Sequence, residues 1–374
     1  MEPWIDPVLI GLDRQIQTAT GDLTIPLEHF ENPKSLSVKG PLPTGRRLSF
    51  ATQSDLRYNR QIGETMTDFR SIIFVFLDGV GLGPAEESNP FWSADTPALR
   101  RLLGGPLVDG VRVERRNGAP PVLCRGIDAT LGVPGLPQSG SGQTALFTGV
   151  NAAQVAGTHV FAFPTERLRR VIAEHSILKR AVERGLRATL ANAYSEGYWT
   201  WVRDKRRGRH SATTLTNMAA ELPFRTFEDL RQGQAVYWDI THEISRERFS
   251  ADLEPISAAE AGRRLAHLGS AHHLVLYETF ITDLAGHRRL PLPVEWTLSR
   301  VDGLLGGLME ARPPGVTVVV CSDHGNLEDS QFKGHTTNPV PLLVVGPAAE
   351  DPVWDAVEDI TDVPQAILAW LDGA

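Results

Sequence analysis

Acidic and imidazole side chains recur at four short segments of this chain. Asp78-Gly79-Val80-Gly81 follows the apolar run 71–77, and Thr282-Asp283-Leu284-Ala285-Gly286-His287 follows the run 273–277. Ser322-Asp323-His324-Gly325-Asn326 follows the run 316–321, and Gly334-His335-Thr336-Thr337-Asn338-Pro339 precedes the run 341–345. Together they supply three aspartates and three histidines. Carboxylate oxygen and imidazole nitrogen suit divalent zinc or manganese, whereas a cage of oxygen alone suits magnesium or calcium. Six ligands exceed what one four-coordinate ion uses, so two ions are implied. Two cations about 4 Å apart can activate a nucleophile and neutralise a transferring phosphoryl group.

A fifth segment, Gly135-Leu136-Pro137-Gln138-Ser139-Gly140-Ser141-Gly142-Gln143-Thr144, is a Gly-rich turn expected to open a helix near Gly142. Backbone N–H groups at a helix start attract phosphate. A serine there, beside a metal, can lose its proton and become a nucleophile. Each fragment alone is ordinary: Asp-Gly makes turns, Asp283 and His287 fit a helix-surface pair, and Ser/Gly stretches make loops. Independent turns need not fall in one order at successive strand ends, and that joint pattern argues for a built site.

Such residues need a scaffold that brings strand ends together. Continuous apolar runs at 71–77, 187–192, 273–277, 316–321 and 341–345 read as strands buried on both faces of a parallel sheet. Helical patterns lie between them at 96–103, 166–182 and 258–268, with Thr96 and Pro97 at a helix start. The alternation predicts an α/β fold with a doubly wound, mostly parallel sheet. Ligands bind such sheets at the carboxyl ends of the strands, where the motifs fall. Residues 166–264 fit the rhythm less well and are expected to form a small inserted cap, with Trp199, Trp201 and the basic residues Arg203, Lys205, Arg206, Arg207 and Arg209. The core is then 66–165 and 265–374.

These motifs resemble the alkaline phosphatase superfamily of metalloenzymes, and within it cofactor-independent phosphoglycerate mutase and phosphopentomutase. Ser322-Asp323-His324-Gly325-Asn326 with Gly334-His335-Thr336-Thr337-Asn338-Pro339 is the most specific part, and Asp78-Gly79-Val80-Gly81 and Asp283-Leu284-Ala285-Gly286-His287 agree in order and spacing. The resemblance spans about 70–165 and 265–374. It implies one metal held by Asp283, His287 and His335, and a second held by Asp78, Asp323 and His324 with Ser139. It implies Ser139 as nucleophile, with Ser141 and Thr144 as alternatives, and a phosphoserine intermediate. The ions are Mn2+ or Zn2+. Gln143 stands where the mutases commonly carry a His, and the insertion is shorter than the mutases' substrate-gripping domain. The expected activity is therefore a two-metal phosphotransferase or phosphatase on a small phosphorylated metabolite, with an intramolecular phosphomutase as the alternative. Gln143, Arg203, Arg206 and Arg207 are the candidate substrate contacts. A binding module without catalysis is the reading from another class.

Composition narrows the context. The chain has 374 residues and a formal net charge of -8, which argues against general nucleic-acid binding. Its apolar runs fall short of the roughly 20 residues of a membrane helix. The acidic start, with Glu2, Asp6 and Asp13, does not read as a secretory signal, and Cys124 and Cys321 cannot make a disulfide framework. A cytoplasmic protein is expected. Residues 1–65 lack periodic apolar runs and read as a poorly ordered leader, or as a mis-assigned start with translation beginning at Met66.

Overall fold

The computed structural model describes residues 70–115, 120–204, 209–249 and 251–373; the expected leader 1–65 lies outside the described residues, as do Lys205, Arg206 and Arg207. The strands are β1 (Ser71–Leu77), β2 (Val113–Arg115), β3 (Val122–Ile127), β4 (Ala188–Leu190), β5 (Leu274–Thr279), β6 (Val316–Cys321) and β7 (Val340–Val345). They form one sheet in the order β2-β3-β7-β6-β1-β5-β4. β4, β5, β1 and β6 are mutually parallel. β7 is antiparallel to both β6 and β3, so β3 points the same way as the parallel block, and β2 opposes it. The fold is thus the expected α/β sheet, mostly parallel, with one difference at 341–345. That run is a strand antiparallel to its neighbour, because the turn region after β6 returns the chain beside it without a crossover helix.

Every residue of β1, β5, β6 and β7 is buried, which explains their unbroken apolar runs. β3 was not foreseen because Arg125 and Gly126 interrupt its pattern; the Arg125 guanidinium donates to Val357 O at 2.7 Å. One sheet face is covered by α2 (Ser139–Thr148), α3 (Glu166–His175), α4 (Ile177–Glu183), α6 (Ala212–Ala219) and α10 (Asp362–Leu371). There Phe76 of β1 meets Phe147 of α2 edge to face, centroids 5.2 Å apart. Burying such a side chain contributes roughly 1.5–3 kcal/mol, and this contact seats α2 over the end of β1. The other face carries α7 (Ala258–Ala271) and α9 (Val294–Ala311). Residues 166–264 supply edge strand β4 and the helix α5 (Glu196–Asp204), and α3 and α6 from the same stretch pack on α2.

Two local expectations shift. The helix α1 (Pro97–Leu103) has Thr96 at its cap, but the Thr96 side chain makes no capping bond. Asp302 of α9 caps it instead, accepting from Ala98 N at 3.0 Å and Leu99 N at 2.8 Å. The pattern at 166–182 is two helices, divided at Ser176, whose hydroxyl donates to Thr216 O at 2.8 Å and accepts from Lys179 N. Among the described residues, no helix is long and apolar enough to cross a membrane. Cys124 and Cys321 are both buried free thiols.

Candidate metal centre

Asp78 stands at the carboxyl end of β1, and Asp323 and His324 stand just beyond β6. Asp283 and His287 lie one helical turn apart on α8 (Ile281–Gly286) and its cap, directly after β5. His335 precedes β7. The parallel neighbours β5, β1 and β6 therefore deliver their polar ends to one place. Two groups result: Asp283 with His287 and His335, and Asp78 with Asp323 and His324, each offering ligand atoms within 4.8 Å of one another. The groups adjoin, since the His324 and His335 rings stack with centroids 3.7 Å apart.

Ser139 is the first residue of α2, after Gln138 in an extended conformation. Its hydroxyl lies 3.0 Å from His324 Nε2. The helix begins at Ser139 rather than near Gly142, and Gly142 is needed for a different reason. A Cβ there would sit 2.7 Å from Asp323 O, so only glycine lets α2 lie against the Asp323 turn. The two alternative hydroxyls are turned elsewhere. Ser141 Oγ donates to Gln138 O at 3.1 Å, and Thr144 Oγ1 donates to Gly140 O at 2.6 Å.

The hydrogen bonds aim the ligand atoms inward. His287 Nδ1 faces Lys333 O at 2.6 Å and His335 Nδ1 faces Pro137 O at 2.7 Å. A carbonyl only accepts, so both rings carry hydrogen on Nδ1 and turn Nε2 to the site. Those two Nε2 atoms are 3.1 Å apart, and Asp283 Oδ1 lies 3.3 Å from one and 3.6 Å from the other. Such a cluster calls for a cation at its centre, either a proton or a metal ion. In the second group, Gln143 Nε2 donates to Asp78 Oδ2 at 3.0 Å, and Gly79 N donates to Asp323 Oδ1 at 3.4 Å. The remaining oxygens, Asp78 Oδ1 and Asp323 Oδ2, are buried and accept no hydrogen bond. They lie 3.4 and 3.5 Å from His324 Nε2. Burying two such oxygens unsatisfied is costly, and a divalent cation is what their chemistry fits.

The electrostatics agree. Burial, then the charges of Asp323, Asp283 and Glu278, raise Asp78 well above the usual carboxylate range. Burial and the charge of Asp283 push Asp323 up to about 7. Burial also drives Glu278 to about 7, and lowers His324 and His335 to about 4. Asp283 goes the other way. Burial opposes its ionisation, but the hydrogen bond and charge of His287, with His324 and His335, outweigh that and hold it low. Burial disfavours a charged His287, yet Asp283 raises its pKa. His324 and His335 are thus ready to ligate at neutral pH, while Asp323 must shed a proton near pH 7. We expect Mn2+ or Zn2+ affinity to rise with pH through about 7, with proton release at pH 6. Calorimetry in two buffers of different ionisation enthalpy reads this, and no proton release at pH 6 would contradict it.

Gln143, a candidate substrate contact, is buried and donates to Asp78. The Arg203 side chain, Arg206, Arg207 and the Trp201 side chain lie outside the described residues. Trp199 stacks on Tyr194 at 5.4 Å, within an aromatic cluster that includes Phe224. Three residues that the sequence did not single out as candidates lie at or beside the site. Asn326 Nδ2 donates to Asp283 Oδ1 at 2.8 Å. Arg289, two residues after His287, has a buried Nη1 with no hydrogen-bond partner among the described residues. Glu328 is wholly buried beside the ligand turns.

Part of the chain is similar to known proteins. Residues 247–371 match the family model described as the metalloenzyme superfamily. The 2,3-bisphosphoglycerate-independent phosphoglycerate mutase of Rhodopseudomonas palustris is 37% identical over an alignment of 107 residues that covers 25% of this chain. The match spans only 21% of that mutase's length. Among solved structures, the PH0037 protein of Pyrococcus horikoshii aligns over 82% of this chain and 98% of its own, at 12% identity and a TM-score of 0.49. The alkaline phosphatase of the Antarctic bacterium TAB5 aligns over 81% and 98%, at 13% identity and a TM-score of 0.43. The segment that resembles the metalloenzyme superfamily, residues 247–371, carries every converging side chain except Asp78 and Ser139.

Proposed function

We propose that this protein is a two-metal phosphotransferase or phosphatase that acts on a small phosphorylated metabolite through a phosphoserine at Ser139. The observation that carries the reading is the Ser139 hydroxyl, 3.0 Å from His324 Nε2 at the start of a helix and beside two ligand groups. Asp283, His287 and His335 would hold one Mn2+ or Zn2+ ion; Asp78, Asp323 and His324, with Ser139, would hold the other. Bound cations supply charge that favours the ionised serine and offsets the nonbridging phosphoryl oxygens. Ser139 attacks phosphorus, so its Oγ–P bond forms as the ester P–O bond breaks. The serine proton passes to solvent, and the leaving oxygen takes a proton from water. Backbone N–H groups at the start of α2 that are not bonded to Gln138 O or Val160 O would donate to the phosphoryl oxygens. Water then attacks the phosphoserine and releases phosphate.

An intramolecular phosphomutase is the second reading, favoured by the local similarity to a phosphoglycerate mutase. The two differ in what meets the phosphoserine: water, or a hydroxyl of the retained product. Incubation of the metal-loaded protein with 3-phosphoglycerate and with ribose 1-phosphate, followed by phosphorus NMR, separates them. Free phosphate supports the first and an isomeric ester the second, while turnover of no phosphate ester across a broad screen would overturn both.

The substrate's anionic end needs a cation, and Arg289 offers one whose charge acts on His287. Losing a charge-assisted hydrogen bond costs about 1.5–3 kcal/mol. Arg289→Met is therefore expected to raise KM roughly 10–100-fold with kcat little changed, measured by steady-state kinetics. An unchanged KM for every ester turned over removes Arg289 from substrate binding.

A further inference from the structure

Glu328 touches none of the proposed ligand atoms, yet its carboxylate is fully buried among the turns that carry them. Oε2 accepts from Gly81 N at 2.9 Å and from Asn326 N at 2.8 Å. Oε1 accepts from Asn338 Nδ2 at 3.1 Å and from the Thr336 hydroxyl. The four donors come from three parts of the centre. Gly81 lies in the turn of Asp78, Asn326 in the turn of Asp323 and His324, and Thr336 and Asn338 in the turn of His335. Asn326 also reaches Asp283 through its side chain. Among the described residues no cation pairs with Glu328. Its two oxygens are satisfied by neutral donors from the three turns, which is a geometry for fixing loops rather than for neutralising charge.

The packing around Glu328 gives a second, independent observation. A Cβ added at Gly81 would overlap the Glu328 carboxylate, and every near atom it would meet belongs to Glu328. A Cβ at Gly325 would overlap the same carboxylate and the Thr336 hydroxyl. Neither glycine has a positive φ. Their lack of a side chain is therefore set by the space Glu328 occupies, not by backbone conformation. Glycines in two separate ligand motifs make room for one carboxylate between them.

We propose that Glu328 is the positioning residue of the metal centre. It holds the Asp78, Asp323–His324 and His335 turns in register, and so couples the affinities of the two ligand groups. The proposal rests on the metal-binding part of the functional reading, not on the phosphoryl-transfer step. Outer partners of metal ligands commonly contribute 10–100-fold to affinity. An amide at this position has one accepting oxygen and one donating nitrogen, so Glu328→Gln loses acceptors that the turns require.

The test is chelator-competition titration of the wild type and Glu328→Gln with Mn2+ and with Zn2+, alongside circular dichroism. The expected result is a folded variant whose affinity falls about 10–100-fold for both metal equivalents. A folded variant that binds both within twofold of wild type, or that loses only one, overturns the proposal. A double-mutant cycle of Gly81→Ala with Glu328→Ala reads the same contact by thermal unfolding, without metal. Gly81→Ala should lower Tm by about 5 °C or more in the wild type, and by less than half that amount beside Glu328→Ala. Equal losses in the two backgrounds overturn it. Both readouts are independent of turnover, so a protein inactive on every phosphate ester would defeat the catalytic reading and leave this one standing.

Discussion

Ser139→Ala is expected to lower kcat by on the order of 10^3-fold or more, with KM nearly unchanged. The hydroxyl is the group that would form the covalent bond, and no nearby hydroxyl is placed to replace it. Ser141 and Thr144 each donate to a backbone carbonyl within α2 or its cap. The alanine removes one oxygen at the first residue of a helix whose cap makes no side-chain bond, so the fold should be unaffected. A direct attack by water on the substrate would leave a slow residual rate. Acid quenching with labelled substrate, then peptide mass spectrometry, should find phosphate on Ser139 in the wild type and on no residue in the variant. Turnover at the full rate by Ser139→Ala would overturn the covalent mechanism.

Asp323→Asn carries the second large effect, and it has two signs. Asp323 is fully buried, and one of its oxygens accepts no hydrogen bond. Replacing it removes charge from the Asp78–His324 group, and metal affinity should fall by about 100-fold or more. The metal-free protein should respond the other way. Burial and the charge of Asp283 push Asp323 up to about 7 in the folded chain, above its ordinary value. The folded state therefore binds more protons than the unfolded state between about pH 4 and 7. Its stability falls as pH rises through that window, and above it the full penalty remains, on the order of a few kcal/mol. Asparagine carries no such penalty. The metal-free variant should then have a higher Tm than metal-free wild type at pH 8, and a similar one at pH 4. With saturating Mn2+ or Zn2+ the order should reverse, because binding to the folded state stabilises it by mass action. Elemental analysis and thermal unfolding at the two pH values measure this. Equal metal content in the two proteins would count against the ligand assignment.

Much of the site was legible because strand and ligand signals coincide in the chain. The runs at 71–77 and 316–321 are wholly buried strands, and Asp78, Asp323 and His324 follow them at once. Asp283 and His287 were readable as a pair by their spacing of four, which puts both on one helical face. Other features depend on contacts between distant segments. The direction of β7 follows from how the chain returns after β6, and periodicity does not encode direction. The capping of α1 by Asp302 joins residues about two hundred positions apart. Gln143 is singled out in the sequence by its place four residues after Ser139, and only the seating of α2 on β1 turns its amide onto Asp78.

By itself the sequence determined the α/β class and the kinds of ligand atom available, since hydrophobic periodicity and side-chain chemistry are local properties. The tertiary structure decided which oxygens and nitrogens face one another, which hydroxyl meets them, and that Glu328 occupies the space left by Gly81 and Gly325. Those are distances between atoms far apart in the chain, and they are set by how the strands and helices pack against each other.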